Sequence, residues 1–389
     1  MSEAAGPAPA PLRRRVLIVA GEASGDRYGA GLMQAVRRSA PGVAFTGIGG
    51  RYMRDAGLES LLDAEKIAVL GFVEVLTSLP VIRGAFRMCL RELAAKPDLV
   101  VLIDYPGFNL RLARKAKEAG VPVVYFVSPQ VWAWKPGRVK TIAETVRRML
   151  VIFPFEEAFY RERGVEATFV GHPLVEILKT DGPRLSREEA ARRVGLDPAR
   201  RIIGLLPGSR MKEVRRNLPP VLGAARLLSE RFPDLQYLIP VASTLTRSAV
   251  SSMVDLPGVA LTDGDFNEAV NLCEAAIVSS GTATVETGLL GVPMVIVYRL
   301  NPLTYQLARR MTHLKWFGMV NLVAGRMIVP ELIQSDCTPE NIAAEIERFL
   351  TDRVLRERTR RDLKGVKEEL GGGGAFAAAA AIVIEELRR

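Results

Sequence analysis

Histidine and cysteine are scarce in this chain of 389 residues, which has two of the first and three of the second. Few zinc enzymes or histidine-relay hydrolases can be built from so small a stock of histidine. The cysteines, Cys89, Cys273 and Cys337, lie far apart without CxxC spacing. This excludes a disulfide framework or a zinc ribbon and indicates a reducing compartment. A catalytic base therefore has to be sought among the carboxylates.

Long apolar runs are also missing. No stretch reaches the roughly 18 apolar residues that a membrane-spanning helix needs, and the longest run covers residues 375–384. The first residues, MSEAAGPAPAPLRRR, lack the apolar segment of a secretory signal and are rich in Ala and Pro. We therefore expect a disordered arm over residues 1–14, followed by a cytoplasmic protein without a transmembrane helix.

Charge is plentiful and unbalanced, with 53 Lys and Arg against 43 Asp and Glu, a formal net charge of +10. Such a balance favours an anionic partner, whether nucleic acid, a nucleotide or an acidic membrane surface. The basic residues are spread along the whole chain instead of clustering with aromatic residues, and no known nucleic-acid-binding module is evident. Nucleic acid is therefore not expected as a partner.

Short β-branched runs alternate with longer amphipathic segments in both halves of the chain. Because the runs are continuously apolar, they are typical of parallel strands buried on both faces. The strands are predicted at 16–20, 44–48, 99–103, 121–127, 149–153, 168–170, 202–206, 236–240, 259–262, 275–278 and 294–298. The pattern predicts an α/β protein with two Rossmann-like, doubly wound parallel-sheet domains that face each other across a cleft.

The domain boundaries follow from breaks in this alternation. Ser186, with Glu188 and Glu189 in the next turn, predicts a helix start inside a charged linker. Glycines 371–374 must interrupt the C-terminal helical pattern, since each costs about 1 kcal/mol within a helix. The last helix is then able to pack back on the N-terminal domain or on a partner subunit. The predicted parts are an arm (1–14), an N-terminal domain (15–175), a linker with one helix (176–200), a C-terminal domain (201–345) and C-terminal helices (346–389).

Ligands of doubly wound sheets bind at the carboxyl ends of the strands, and the motifs lie there. The loop GEASGD follows the first strand and lets backbone N–H groups approach a ligand. It lacks GxGxxG spacing, so a dinucleotide is not favoured. Ser24 and Asp26 are therefore candidates to face a substrate, although either can instead cap the next helix.

Asp104 ends the apolar strand at 99–103, where a carboxylate can act as a general base towards a hydroxyl. The alternative is a turn aspartate before Pro106 and Gly107. The next strand is followed by the loop SPQVWAW, which holds Trp132 and Trp134. These rings either stack on a sugar or a base or pack into the protein.

Two motifs in the second half are suited to phosphate. Arg210, in LPGSR after the strand at 202–206, has a guanidinium group that matches phosphate geometry, the alternative being a surface arginine. The small residues of SSGTATVE open a helix as an anion cradle, and Glu286 can accept two hydrogen bonds from a ribose. The alternative there is a capping box at Thr282. Together these motifs suggest a nucleotide-diphosphate donor and an acceptor, and without a Walker A sequence ATP hydrolysis is not expected.

The ordered set GEASGD, GIGG, LGFVEVL, IDYPGFN, VSPQVWAWKPGR, FPFE, VGHPL, LPGSR, SGTATVE and NLVAGR runs from about residue 16 to about residue 350. As a set it resembles the lipid-A-disaccharide synthase family of inverting glycosyltransferases with the glycosyltransferase-B fold. The resemblance implies that 2,3-diacylglucosamine passes from its UDP derivative to the 6-hydroxyl of 2,3-diacylglucosamine 1-phosphate. The products would be a β-1,6 disaccharide 1-phosphate and UDP.

The resemblance also implies roles for residues. Asp104 would be the base. The donor side would comprise Gly208, Ser209, Arg210, Ser280, Gly281, Thr282, Ala283, Glu286 and Asn321. The acceptor side would comprise Ser24, Gly25, Asp26, Asn109, Gln130 and Trp134. Family members often carry a second Asp where Gly107 stands and an Ala where Tyr105 stands, so no second carboxylate shares the base role here.

No DxD-type pair is evident, and a fixed arginine with a helix N-terminus can replace a metal ion, so we expect neither a metal nor a cofactor. Two alternatives stay open at this point. One is another UDP-sugar enzyme of the same fold, an epimerase or a peptidoglycan-precursor transferase. The other is a non-catalytic nucleotide- or lipid-binding protein.

Acylated substrates imply contact with a membrane. Residues 69–82 carry one charge, and Arg83, Arg87 and Arg91 follow at helical spacing, as in an interfacial helix. The alternative is a buried helix with a solvated arginine face. The predicted membrane contacts are Val69, Leu70, Phe72, Leu76, Arg83, Arg87 and Arg91. We expect a peripheral protein on the inner face of the inner membrane of a Gram-negative cell, with a homodimer through the C-terminal helices as an open possibility.

Overall fold

A computed structural model describes residues 13–64, 72–132, 137–301, 305 and 315–389. Two compact units divide the chain: unit 1 comprises Met1–Pro173 with Gly373–Arg389, and unit 2 comprises Leu174–Gly372. Each unit contains one parallel β-sheet, which confirms the predicted α/β class with two doubly wound domains. Residues 1–12 of the predicted arm, the membrane candidates Val69 and Leu70, and Trp134 lie outside the described residues.

Unit 1 contains a seven-stranded sheet within the described residues. Its strands are β1 (Arg14–Ala20), β2 (Val43–Gly49), β3 (Glu59–Asp63), β4 (Leu99–Ile103), β5 (Val123–Phe126), β6 (Arg148–Val151) and β7 (Ala167–Phe169). Their order is β3-β2-β1-β4-β5-β6-β7. The direction of winding reverses between β1 and β4, which is where ligands of such sheets bind.

The helices of unit 1 join these strands. They are α1 (Ala23–Ser39), α2 (Arg51–Asp55), α3 (Phe72–Ala94), α4 (Pro106–Glu118), α5 (Arg138–Thr145) and α6 (Pro154–Arg161). Side chains from β1, β4 and β5, such as Leu17, Leu102 and Tyr125, share one buried cluster with Leu112 of α4. Burial of this continuous apolar surface is what orders the sheet.

Unit 2 contains a six-stranded sheet in the order β10-β9-β8-β11-β12-β13. Its strands are β8 (Arg201–Leu206), β9 (Leu235–Pro240), β10 (Val259–Thr262), β11 (Ala275–Ser279), β12 (Met294–Tyr298) and β13 (Glu331–Ile333). Its helices are α7 (Pro173–Thr180), α8 (Arg187–Arg193), α9 (Met211–Arg231), α10 (Arg247–Ser251), α11 (Phe266–Asn271), α12 (Thr282–Leu289), α13 (Met319–Val323), α14 (Pro339–Thr351) and α15 (Arg353–Glu369). The winding reverses between β8 and β11.

Two strands, β3 and β13, were not predicted from the sequence. Each lies at an edge of its sheet, and each is only partly buried. Edge strands are short and carry polar residues, as in the sequences ESLLD and ELI. The continuous apolar run that identified the central strands is therefore absent from them.

The C-terminal segment predicted as one part, 346–389, is divided between the two units. Helix α15 packs on α12 and α13 in unit 2, and α16 (Ala375–Arg388) packs on α1 in unit 1. Gly371, Gly373 and Gly374 have φ values of +98°, +99° and +89°, so left-handed backbone separates the two helices. Phe376 of α16 lies against Gly31, where a Cβ would overlap its ring. The absence of a side chain at Gly31 is thus what lets α16 dock.

Candidate active site

The turn after β4 carries Asp104. Asp104 and Tyr105 have φ values of +44° and +48°, a left-handed backbone that residues other than glycine seldom adopt. The Asn109 side-chain amide donates to the carbonyl oxygens of Ile103, at 3.1 Å, and Asp104, at 2.8 Å. The hydroxyl of Tyr125 also donates to the Asp104 carbonyl oxygen. These bonds hold a half-buried carboxylate at the carboxyl edge of the sheet.

Asn109 was predicted to contact the acceptor, and the structure gives it a different place. Its side chain is fully buried, and its amide group is used by the backbone of the Asp104 turn. Contact between Asn109 and the acceptor therefore stays a prediction, while its observed role is to bind the turn. Buried amides must satisfy their donors within the protein, and the neighbouring carbonyl groups of Ile103 and Asp104 do so here.

Tyr105 links the Asp104 turn to the loop after β1. Since Ala20 pairs with Ile103 in the sheet, the two loops leave adjacent strands. A Cβ at Gly21 would overlap the Tyr105 ring, and that ring stacks on Phe108 with centroids 5.8 Å apart. Burial, and next the nearby Glu22 carboxylate, raise the pKa of Tyr105. The structure thus brings the GEASGD loop beside Asp104.

Asp26 has a structural role within that loop. Its buried carboxylate accepts hydrogen bonds from the backbone N–H groups of Gly50, at 2.7 Å, Tyr52, at 2.9 Å, and Met53, at 3.0 Å. It therefore satisfies the first N–H groups of α2, while the predicted contact with the acceptor stays a prediction. Neither Ser24 nor Asp26 caps α1, whose N-cap is Glu22. Ser24 is half-buried and Gly25 is buried in the first turn of α1.

The loop after β5 rests on a buried carboxyl group that the sequence analysis did not identify. Glu156 of α6 accepts hydrogen bonds from the Trp132 indole N–H, at 2.9 Å, and from the backbone N–H of Phe153, at 3.1 Å. Burial raises the pKa of Glu156 to about 7. The Ser128 and Tyr160 hydroxyl groups bond to each other beside it, at 2.7 Å.

These contacts decide between the two predictions for Trp132. Its indole is bonded to Glu156 and packs edge-on against Phe155, with ring centroids 5.0 Å apart, so Trp132 packs into the protein. Gln130 is exposed in the same loop. The FPFE motif noted in the sequence ends at Glu156, but its pattern did not predict that this carboxyl group is buried.

In unit 2, the turn after β8 holds Arg210 at the carboxyl edge of the sheet. Gly208 has a φ of +133°, and a Cβ there would lie 2.7 Å from the Cβ of Glu213. Glu213 accepts hydrogen bonds from the Ser209 backbone N–H, at 3.2 Å, and from Arg210 Nη1, at 3.3 Å. The Arg210 side chain remains 41% exposed, so its guanidinium group is oriented and yet accessible to solvent.

The second predicted phosphate motif follows the adjacent strand. Leu206 at the end of β8 pairs with Val278 of β11, so the two turns are neighbours. Helix α12 begins at Thr282 after Gly281, and its N-cap makes no side-chain hydrogen bond, which does not support the capping-box alternative. Gly281 and Thr282 are exposed, while Ser280, Ala283 and Glu286 are half-buried.

Asn217 joins these strand ends and was not identified from the sequence. This buried residue of α9 donates to the carbonyl oxygen of Pro207, at 3.1 Å, and to Ser279 Oγ, at 2.9 Å. Its own oxygen accepts from the Arg299 backbone N–H, at 3.1 Å. One amide therefore fixes the loops after β8, β11 and β12. The sequence signal that could have identified Asn217 is a polar residue on the apolar face of an amphipathic helix.

Asn321 was predicted on the donor side, and the structure gives its side chain hydrogen-bond partners within the protein. It is fully buried, and its side-chain nitrogen donates to the Val329 carbonyl oxygen, at 2.9 Å, and to a Glu331 carboxylate oxygen, at 2.7 Å. Its oxygen accepts from the backbone N–H groups of Ile328 and Val329. Asn321 thus joins α13 to β13 and has no donor left for a ligand.

Residues of the types that bind metals do not cluster in the described part of the chain, where no group of three or more His, Cys, Asp or Glu could hold an ion.

His172 is buried against Tyr28 and Phe153, and burial lowers its pKa to about 3. It is therefore neutral at physiological pH. No helix among the described residues has both the length and the apolar character required to cross a bilayer.

Sequence comparison identifies the family to which the chain belongs. The family model described as lipid-A-disaccharide synthetase matches residues 16–375. The chain belongs to the lipid-A-disaccharide synthase family. A member named lipid-A-disaccharide synthase from Geobacter sulfurreducens is 48% identical over 377 residues, which cover 96% of this chain and 97% of that protein. The chain is accordingly a glycosyltransferase of lipid A biosynthesis, and the alternative functions are not favoured.

Solved structures agree with the fold. A UDP-GlcNAc 2-epimerase from Neisseria meningitidis, bound to UDP-GlcNAc, superposes with a TM-score of 0.62 at 13% identity, covering 96% of this chain and 99% of that one. The calicheamicin glycosyltransferase superposes with a TM-score of 0.59 at 17% identity, covering 97% and 99%. At such identities the likeness shows the fold alone, and it confirms the glycosyltransferase-B class.

Proposed function

We propose that this enzyme transfers 2,3-diacylglucosamine from its UDP derivative to the 6-hydroxyl of 2,3-diacylglucosamine 1-phosphate. The products are the β-1,6 disaccharide 1-phosphate and UDP, with inversion at the anomeric carbon. The observation that carries the proposal is the match to lipid-A-disaccharide synthases over nearly the whole chain. Such a transfer needs a base for the acceptor hydroxyl and positive charge for the departing diphosphate.

Unit 2 binds the donor in this proposal. The exposed guanidinium group of Arg210 and the small residues before α12 lie on adjacent loops, where a diphosphate can meet both. Glu286, in the second turn of α12, accepts hydrogen bonds from the ribose. The donor-side residues are Gly208, Ser209, Arg210, Ser280, Gly281, Thr282, Ala283 and Glu286. Asn217 supports the site through the loop backbone and Ser279, and the donor-side role of Asn321 stays a prediction.

Unit 1 binds the acceptor, and Asp104 removes the proton from its 6-hydroxyl. The support for this role is the position of Asp104 on β4, beside the point where the winding of the sheet reverses. Ser24, Gly25, Gln130 and Trp134 complete the acceptor side in the proposal. Neither a metal ion nor a cofactor takes part, because Arg210 and backbone N–H groups supply the charge stabilisation.

The test is to incubate the protein with both lipid substrates and to follow UDP release and disaccharide formation by mass spectrometry. Asp104→Asn preserves shape but removes the base, so kcat should fall by roughly 10²- to 10⁴-fold while UDP binding is unchanged. Asp255→Asn, at an exposed carboxylate of unit 2, is the matched control and should retain activity. Near-normal turnover of Asp104→Asn would refute the base assignment, and absence of the disaccharide with the unmodified enzyme would refute the reaction.

The enzyme meets its acylated substrates as a peripheral protein on the inner face of the inner membrane, with α3 at the surface. Arg83, Arg87 and Arg91 are exposed on this helix, and Val81 and Met88 are exposed with them. An exposed face that combines arginine with apolar side chains is typical of interfacial helices. Phe72 and Leu76 belong to α3, but their side chains are outside the described part. A homodimer through the C-terminal helices stays a prediction.

A further inference from the structure

The turn that carries Asp104 has an unusual construction. Two successive residues with side chains, Asp104 and Tyr105, have left-handed φ values, where glycine is the usual choice. Residues persist in such conformations only when their surroundings determine the backbone at several points. The hydrogen bonds around Asp104 are therefore what keeps its carboxylate in this direction.

Those bonds converge on the two peptide groups that flank Asp104. The Asp104 carbonyl oxygen accepts from the Asn109 amide, at 2.8 Å, and from the Tyr125 hydroxyl. The Asp104 N–H faces the carbonyl oxygens of Phe126 and Val127, each at 3.3 Å. If the peptide between Asp104 and Tyr105 rotated towards an unstrained conformation, its carbonyl oxygen would leave both donors, and the Asp104 side chain would change direction.

Both donors are buried. The Tyr125 ring belongs to the apolar cluster of unit 1, and burial, with the Asp104 carboxylate next in effect, raises its pKa well above the ordinary value. Tyr125 therefore stays a neutral phenol that can donate. The Asn109 oxygen has no hydrogen-bond partner among the described residues, so the residue serves the turn through its donors alone.

We infer that Tyr125 and Asn109 are positioning residues for the transfer, acting through the Asp104 backbone and not through contact with either substrate. The inference rests on the proposed function, since it takes Asp104 as the base. It predicts that loss of either donor lowers kcat without weakening the binding of the donor nucleotide.

Tyr125→Phe is the main variant, because it removes one hydroxyl and keeps the ring. Tyr237→Phe is the matched control: Tyr237 is a buried tyrosine of unit 2 whose hydroxyl donates to the Ala225 carbonyl oxygen, at 2.8 Å. Tyr125→Phe loses its bond to a backbone carbonyl, and Tyr237→Phe loses such a bond together with the one its hydroxyl accepts from Ser229 Oγ, at 3.0 Å. The control should therefore lose at least as much Tm. Only Tyr125→Phe should lower kcat, by roughly three- to tenfold, with the KM for the UDP-sugar unchanged. Equal kcat in the two variants would overturn the inference.

A double-mutant cycle with Asp104→Asn separates the inference from the proposed function. If Tyr125 acts through the base, Tyr125→Phe should have no further effect on kcat in the Asp104→Asn background. The same factor in both backgrounds would overturn the inference and leave the base assignment intact. Near-normal kcat in Asp104→Asn alone would refute the proposed base, whatever Tyr125→Phe does. Asn109→Ala repeats the cycle with the second donor, so the test does not depend on the folding of one variant.

Discussion

At the scale of single residues, Gly21 and Tyr105 occupy one volume beside Asp104. The Tyr105 ring lies where a side chain at position 21 would begin. Glycine is therefore required by its neighbour, because any Cβ would displace the ring and the turn attached to it. This coupling joins two motifs, GEASGD and IDYPGFN, whose coupled residues Gly21 and Tyr105 are 84 positions apart in the sequence.

Gly21→Ala should destabilise the protein by about 1–3 kcal/mol, since overpacking forces the aromatic ring to move. Tyr105→Ala removes the ring, so Gly21→Ala should cost much less in that background, and urea unfolding of the four proteins measures the coupling. Gly107→Ala is the matched control, because a Cβ there meets no atom within 4 Å. Equal costs of Gly21→Ala in both backgrounds would contradict the assigned contact.

Glu156 should make stability depend on pH. Its pKa is about 7 in the folded protein against an ordinary value of 4.5, so the folded state holds the proton more tightly than the unfolded state. Its contribution to stability is therefore complete below pH 4.5 and is lost as the pH rises through 7. His172 acts in the opposite direction, because its pKa of about 3 lies below its ordinary 6.5 and its contribution is lost as the pH falls through that interval.

Glu156→Gln removes the pH dependence of stability that comes from Glu156 and keeps the one that comes from His172. Relative to the unmodified protein, its free energy of unfolding should rise by about 3 kcal/mol between pH 5 and pH 8, from a lower value at pH 5. Denaturant unfolding at several pH values measures this difference. Glu162→Gln, at an exposed carboxylate, should follow the unmodified protein. If the difference for Glu156→Gln were independent of pH, the assigned protonation state would be wrong.

At the scale of elements, α3 has two distinct faces. Ala85, Cys89 and Leu93 are buried on one side of the helix, while Arg83, Arg87 and Arg91 are exposed. Exposed Val81 and Met88 accompany the arginines. This helix is either interfacial or buried with a solvated arginine face. The two alternatives therefore differ only in whether lipid or water contacts its exposed face.

The variant Arg83→Glu/Arg87→Glu/Arg91→Glu should lose binding to anionic vesicles in a flotation experiment. At roughly 1 kcal/mol per basic residue near an anionic surface, the partition coefficient should fall at least tenfold. The control reverses three exposed arginines of α15, Arg353, Arg358 and Arg361, which makes the same change in net charge. Unchanged flotation of the α3 variant, or an equal loss in both, would contradict membrane contact through α3.

At the scale of the whole molecule, the C-terminal helix belongs to unit 1 together with the N-terminal part of the chain. Helix α16 packs on α1, where the buried carboxylate of Glu386 lies 3.3 Å from Arg147 Nη1 and 3.1 Å from Arg389 Nη1. The net charge of +10 first suggested nucleic acid among other partners. The proposed function assigns this charge to binding the anionic groups of the substrates and of a lipid surface.

Transferase activity should be insensitive to chelation. The proposal assigns neutralisation of the departing diphosphate to Arg210 and the N–H groups before α12, and an arginine with a helix N-terminus can do this without a metal ion. Initial rates measured after dialysis against EDTA should equal those with added Mg²⁺, while Arg210→Ala should raise the KM for the UDP-sugar under both conditions. Loss of activity in EDTA that Mg²⁺ restores would contradict this prediction.

The sequence by itself determined the α/β class, most of the central strands and the family. Strands buried on both faces must be continuously apolar, so β4 and β12 were predicted with the bounds that the structure has. Ser186 was likewise predicted to start a helix, and it caps α8 together with Glu189. Asp104 could be proposed as the base because its place depends only on where a strand ends.

Only the tertiary structure decided which polar residues serve the protein itself. Asp26, Asn109 and Asn321 stand in motifs suited to ligand contact, yet their side chains bond to buried backbone groups. Conversely, Asn217 and Tyr125 lie outside the motifs, and Glu156 ends the FPFE motif without a role having been predicted for it. A polar side chain meets either a ligand or the protein backbone according to which loops the sheet brings together, and the partners that decide this are distant in sequence.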